Sequence, residues 1–294
     1  MLFRSNKKMN RKIKLITNCD RPPNYLMDIA VKYWLRVFDS SELIFLVNNI
    51  THFDMVQSLK ESYNIDAKRV HSLDDIYDPN QCVVWDDLEE YDYGAYHDRE
   101  APIINKVQHK LLEQGVDVVI FLDRDEILYH PNLRHLLNTF TESVIRPRGI
   151  EVIQSSDEIS FDLSKPIHEQ RKYLRHFLSK SKACIVREPV EWMIGRHGTL
   201  CGKWPHADVK AHPEWQFHPQ RNTEEYPELY LVHFDKIDIN MIYQLRVDNQ
   251  SVFKTNDRHT GVIDPDKFTF WFNEAAINGE LYEDTTEFLK EVNI

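Results

Sequence analysis

Apolar residues occur along this chain in two kinds of stretch: short unbroken runs, and longer segments in which they return every three or four positions. The first kind predicts strands buried on both faces, and the second predicts amphipathic helices. Ile13-Lys14-Leu15-Ile16 begins a strand that runs into a polar, proline-containing loop from Thr17 to Asn24. Tyr25, Leu26, Ile29, Ala30, Tyr33, Trp34 and Val37 then recur at helical spacing, with Asn24 placed as the N-cap. Leu43 to Val47 is a second strand, ended by Asn48-Asn49. Thr51 and Asp54 form a capping-box pattern ahead of a helix through Phe53, Val56 and Leu59. A third, shorter strand lies within Val70 to Leu73. The order strand-helix-strand-helix-strand implies a parallel sheet with right-handed crossovers.

Cys82 to Trp85 is again apolar, and Asp86 to Glu100 is acidic and studded with tyrosines. This stretch reads as a solvated loop or as a flap whose tyrosines stack on a sugar or a base. Pro102 is expected in the first turn of a helix carrying Ile103, Ile104, Val107, Leu111 and Leu112, stopped by Gly115. Val116 to Leu122 follows as a strand buried on both faces, and Pro131 opens a helix with Leu133, Leu136, Leu137 and Phe140 inward. Val144 to Val152 reads as an extended pair or a bent strand. A helix is predicted over Ile167 to Leu178, and strands over Ala183 to Val186 and Leu229 to Val232. Between the last two, Glu188 to Tyr226 is rich in Pro, Gly, His and Trp and shows no periodicity. A stretch this long is functional or disordered, and its aromatic content argues against disorder. The remainder, Asp238 to Ile294, is expected to be helical with breaks.

The buried strand ends in Asp123-Arg124-Asp125-Glu126, three carboxylates within four residues. In open α/β sheets the carboxyl ends of strands are where ligands bind. Crowded carboxylates repel, and a divalent cation with oxygen ligands is the natural counter-charge. Asp123 and Asp125, two residues apart at a strand end, can point to the same side. Mn²⁺ or Mg²⁺ suits them when substrate phosphates and waters complete the coordination. Helix capping or salt bridging would explain the same pair.

Composition narrows the function classes. The 294 residues carry a formal net charge of -11, which argues against a nucleic-acid binder, since that needs a basic face. An anionic small ligand stays compatible, because a metal ion reverses the local sign. Cys19, Cys82, Cys184 and Cys201 are far apart and form no C-x-x-C pair, which fits a reduced, cytoplasmic setting. No apolar stretch approaches the ~20 residues of a membrane span. The basic start, Met1 to Lys14, lacks the apolar core of a signal peptide and reads as a solvated terminus.

The segment F-L-D-R-D-E-I-L (121–128), preceded by a helix and a buried strand, resembles the D-x-D-E signature of GT-A-fold glycosyltransferases, particularly the family-2-like group. I-T-N-C-D-R-P-P-N-Y-L (16–26) is similar to their first nucleotide-binding loop, with Asp20 and Asn24 in place of the usual Asn-Glu pair. F-L-V-N-N (45–49) is similar to their second strand. L-Y-L-V-H-F-D-K (229–236) resembles the strand whose His supplies a further metal ligand.

The resemblance implies a GT-A-like (Rossmann-like) α/β/α sandwich around a mostly parallel sheet, as one catalytic domain over 1–294. Within it, 1–145 would bind the nucleotide sugar, 146–236 the acceptor, and 237–294 would form a C-terminal helical segment. The implied activity is metal-dependent transfer of a sugar from a nucleotide-sugar donor to a glycan or other hydroxyl acceptor, with inversion. Asp123 would bind ribose or the water shell of the ion, Asp125 the ion, and His233 would complete its coordination, while Glu126 would support the site or face the acceptor. Asn18, Asp20 and Asn48 stand where base and ribose would lie, although turn formation explains them equally well.

Inversion needs a carboxylate on the acceptor side to take the hydroxyl proton. Glu191, beside Trp192 as a stacking surface, is the first candidate, and Asp208 the second. His197, His206, His212 and His218 crowd the same region without a zinc spacing. Two other readings compete. One is a haloacid-dehalogenase-like phosphatase, whose D-x-D normally lies near the chain start and is followed by Gly. The other is a non-catalytic sugar-binding module.

Overall fold

The structure is a computed structural model, and it describes residues 10–19, 25–47, 55–70, 72, 82–85, 96–155, 158–176, 181–192, 199–200, 225–238, 240–241 and 285–292. Strand β1 (Ile13–Cys19) lies between β2 (Leu43–Val47) and β5 (Val118–Leu122), parallel to both. Beyond β2 the sheet continues in parallel through β4 (Cys82–Trp85) to β3 (Ala67–Val70). On the other side β5 pairs antiparallel with β10 (Ile185–Val186), and β10 pairs antiparallel with β7 (Val144–Ile145). The result is a mixed seven-stranded sheet in the order β3-β4-β2-β1-β5-β10-β7.

Every residue of β2 and β5 is buried, and alternation along the strands divides the core into two layers. Ile13, Leu15, Leu43, Phe45, Val118 and Ile120 face one layer, where Trp34 of α1 (Tyr25–Val37) and Leu59 of α2 (Met55–Tyr63) pack. Ile16, Ile44, Leu46, Val119 and Phe121 face the other, against Ile104, Val107 and Leu111 of α3 (Tyr96–Glu113). Such aliphatic and aromatic side chains each contribute ~1.5–3 kcal/mol when fully buried, which explains why continuous apolar runs become these strands. The end of α3 is set by Gly115 at φ 82°. That left-handed residue lets Gly115 N–H reach the Leu112 carbonyl and Val116 N–H the Leu111 carbonyl, both at 3.0 Å.

A second sheet, ordered β6-β13-β8-β9, comprises β6 (Glu126–Tyr129), β13 (Tyr230–Lys236), β8 (Arg148–Ile153) and β9 (Tyr173–His176). β13 is antiparallel to β6 and parallel to β8, and β9 is antiparallel to β8. The chain therefore crosses between sheets at the turn from β5 to β6. Helix α1 braces that crossing: Tyr33 Oη donates to the Leu128 carbonyl at 2.8 Å and Trp34 Nε1 to the Glu126 carbonyl at 3.2 Å. Near the end of the chain, Phe288 of α6 (Thr285–Val292) meets Tyr129 and Tyr230 edge-on. The short helix α4 (Leu133–Thr139) carries Leu133, Leu136 and Leu137 into the core, as its spacing predicted.

Several sequence expectations change. The helix over Ile167 to Leu178 is instead a single turn, α5 (Ile167–Gln170), followed by β9. Arg171 ends it: its fully buried guanidinium donates to the carbonyls of Ile237, Ile159 and Gln170. The extended stretch at Val144 to Val152 is two strands in different sheets, broken at Arg146-Pro147, where proline removes a ladder donor. Helix α3 opens at Tyr96, so Pro102 lies inside it rather than in its first turn, and only 86–95 of the acidic stretch stays outside the described residues. Among the described residues, no helix is long and apolar enough to cross a membrane.

Candidate metal and donor site

The acidic turn leaves β5 at the point where the two sheets meet. Ligand oxygens of Asp123, Asp125 and Glu126 lie within 4.8 Å of one another. Asp123 and Asp125 are partly exposed, while Glu126 is buried as the first residue of β6. Both Glu126 oxygens are engaged. Oε2 accepts the Asp123 backbone N–H at 2.9 Å, and Oε1 accepts from Lys182 Nζ. His233 stands opposite Glu126 in the β6–β13 register, and its Nδ1 lies 3.2 Å from the same Oε1. The Phe234 N–H donates to the Asp125 carbonyl at 3.1 Å, which ties the turn to β13.

Lys182, three residues ahead of β10, completes this centre. Its Nζ is 2.5 Å from Asp123 Oδ2, and the side chain is buried. The link depends on β10 lying against β5, where Phe121 N–H donates to the Cys184 carbonyl at 2.9 Å. Burial, and then the charge of Asp123, push the Glu126 carboxyl up to about 7 against the opposing pull of Lys182. Burial, reinforced by Glu126, raises the nearby Cys184 thiol above its usual range.

The donor set fits a hard divalent cation, because it consists of carboxylate oxygens close enough to share one ion. Its members differ in role. Asp123 and Asp125 are partly exposed, Asp123 while also bonded to Lys182, whereas Glu126 is buried, bonded to Lys182 and the Asp123 backbone and in contact with His233. His233 is not among the residues whose ligand atoms converge, and it reaches the cluster through Glu126.

The other sequence candidates fall as follows. Asn18, near the end of β1, pairs in register with Leu46, while Thr17 pairs with Leu122, so the carboxyl ends of β1, β2 and β5 lie side by side. Thr17 Oγ1 is buried there without a hydrogen-bond partner among the described residues. Asp20, Asn48 and Asp208 lie outside the described residues. Glu191 belongs to a two-residue strand, β11 (Glu191–Trp192), paired antiparallel with β12 (Thr199–Leu200). Helix α3 holds the backbone on either side of Glu191. Gln108 exchanges two hydrogen bonds with Val190, at 2.9 and 3.0 Å, and Asn105 two with Trp192, at 2.8 and 3.1 Å. Trp192 is not a stacking surface for a sugar: it is 3% exposed, tilted against Phe121, and donates Nε1–H to the Ala183 carbonyl.

Sequence reasoning missed Lys182, because nothing local links it to an acidic turn 59 residues earlier. Gln108 left a trace. It lies inside the apolar stripe of Ile104, Val107 and Leu111, and a polar group buried in such a stripe must be hydrogen-bonded.

No protein-family model matches the sequence, and no curated protein matches it. Among solved structures, the chain is similar to two crystal structures of TarS from S. aureus. One, of TarS 1-349, has 12% identity and a TM-score of 0.33, with 91% of this chain and 71% of that chain covered. The other, of TarS, has 12% identity and a TM-score of 0.31, with 91% of this chain and 44% of that chain covered. Likeness at this level decides neither family nor activity.

Proposed function

We propose that the chain is a metal-dependent glycosyltransferase that moves a sugar from a nucleotide-sugar donor to a glycan or other hydroxyl acceptor, with inversion. The observation that carries this reading is the convergence of Asp123, Asp125 and Glu126 at the carboxyl end of β5, beside the ends of β1 and β2. A crevice at strand ends accommodates a nucleotide, and the acidic turn would meet its diphosphate. Asn18, Asp20 and Asn48 would contact base and ribose. Mn²⁺ or Mg²⁺ held by Asp123 and Asp125 would supply Lewis-acid charge that offsets the diphosphate.

The chain's own residues divide the remaining work. Glu126, braced by Lys182 and His233, holds the Asp123 backbone and so fixes the turn from which Asp123 and Asp125 project. Glu191, on a backbone clamped by Asn105 and Gln108, is the first candidate to take the acceptor hydroxyl proton, and Asp208 the second. The cluster's buried framework supports rigid positioning of the outward carboxylates, which is what differential stabilisation of a transition state requires.

The test is a screen of sugar nucleotides in which donor hydrolysis and thermal shift are followed with Mn²⁺ and with EDTA. Metal-dependent hydrolysis of one donor, with a raised melting temperature for its nucleotide, is the expected result. Hydrolysis of simple phosphomonoesters instead would favour the phosphatase. Sugar or nucleotide binding without turnover would leave a binding module.

A further inference from the structure

Lys182 places an ammonium among the carboxylates of the acidic turn. Its Nζ is 2.5 Å from Asp123 Oδ2 and also contacts Glu126 Oε1, with the lysine side chain 7% exposed. A divalent ion of this class sits about 2.0–2.2 Å from its oxygens, so an ion bridging Asp123 and Glu126 would need the position the ammonium holds. The ammonium cancels one unit of the negative charge that Asp123 and its neighbours carry.

We propose that Lys182 is the resident counter-cation of this cluster and sets its affinity for a divalent ion by competing for the Asp123 and Glu126 oxygens. The inference rests on the reading of the cluster as a divalent-ion site. Two arrangements satisfy it. An ion could bind outward on Asp123 and Asp125 while Lys182 keeps Glu126, or it could displace the lysine along its flexible four-carbon stem. In both, like-charge repulsion between ammonium and ion weakens binding, and removal of the ammonium strengthens it. A lysine present only to pack the junction of the two sheets would lower stability when removed and leave ion affinity unchanged.

The experiment measures Mn²⁺ binding directly, from the free-ion electron paramagnetic resonance signal, on the full chain and on Lys182→Met. A second pair, Glu126→Gln and Glu126→Gln/Lys182→Met, removes the buried acid that Lys182 neutralises and protects the test against failure to fold. Mn²⁺ is expected to bind about 10-fold or more tightly when Lys182 is replaced, in either background. The melting temperature of Lys182→Met should also rise more with Mn²⁺ than that of the wild type. Equal or weaker affinity without the lysine, with the wild type binding Mn²⁺, overturns the inference and leaves the ion site standing. Absence of Mn²⁺ binding in all four proteins overturns both.

Discussion

His233 Nδ1 lies 3.2 Å from Glu126 Oε1, and both side chains are almost wholly buried. The two residues face each other across the β6–β13 ladder. The acidic turn is thus attached to the second sheet at its innermost carboxylate, while its outer carboxylates stay accessible. A framework of this kind predicts that Glu126 governs stability and that Asp123 and Asp125 govern ligand binding.

The Glu126 prediction has a defined pH window. Its carboxyl is raised from an ordinary 4.5 to about 7 by burial and by Asp123. Below the lower value both folded and unfolded chains hold the proton, and the group has no differential effect. Between the two values only the folded chain keeps it, so stability falls as pH rises. Glu126→Gln lacks this loss. Urea unfolding of wild type and variant in EDTA, at about pH 5 and about pH 8, should show the variant gaining relative stability at the higher pH. A difference that stays flat would mean that Glu126 titrates as an ordinary carboxylate.

Metal dependence should reside in Asp125. Chelation with EDTA is expected to abolish transfer, and Mn²⁺ or Mg²⁺ to restore it. Asp125→Asn keeps the size of the side chain and weakens it as a ligand, so donor affinity measured with Mn²⁺ should fall together with turnover. Full activity in EDTA, with the Asn variant equal to wild type, would remove the metal from the mechanism.

Loss of a general base typically costs ~10²–10⁴-fold in rate. Glu191→Gln is expected to show a reduction of that size with donor binding retained, measured by single-turnover kinetics and equilibrium binding. Near-normal turnover would transfer the role to Asp208, to be checked by Asp208→Asn.

Gln108 offers a stability prediction that is independent of catalysis. It satisfies both the N–H and the C=O of Val190 in a buried setting. Gln108→Leu preserves the apolar stripe of α3 and strands the Val190 N–H, at ~1–3 kcal/mol, while the Val190 carbonyl keeps His109 Nε2 at 3.0 Å. Urea denaturation should report the loss, and a variant as stable as wild type would show that the backbone at Val190 finds other partners.

The donor placement is tested by Asn18→Ala, Asp20→Ala and Asn48→Ala, each followed by binding of the donor identified in the screen. At least one should weaken binding if the nucleotide crosses the ends of β1 and β2. Unchanged affinity in all three would place the donor elsewhere.

Much of the first half of the fold was legible from residue order alone. Continuous burial on both faces demands continuous apolar runs, so β2 and β5 were readable, as was α1 from its helical period. Gly115 marked the end of α3 because few other residues adopt its left-handed conformation readily. The acidic turn was equally plain, since charge directly after a buried run has to lie at a strand end.

What sits around that turn was settled by tertiary structure. Local periodicity contains no term for which strand pairs with which, so β10 beside β5, and with it Lys182 on Asp123, became visible only once the sheets were assembled. The same holds for Trp192, whose neighbourhood in sequence looked like a binding loop but whose indole is buried against Phe121. Arg171 shows the limit most directly. A helix-compatible stretch gave way to a turn and a strand because a buried guanidinium must have acceptors, and the carbonyl at Ile237 lies 66 residues along the chain. By itself the sequence determined β2, β5, α1 and the position of the charged turn, because these depend on near neighbours. The partners of the buried charges depend on contacts between distant segments, and only the folded chain brings those together.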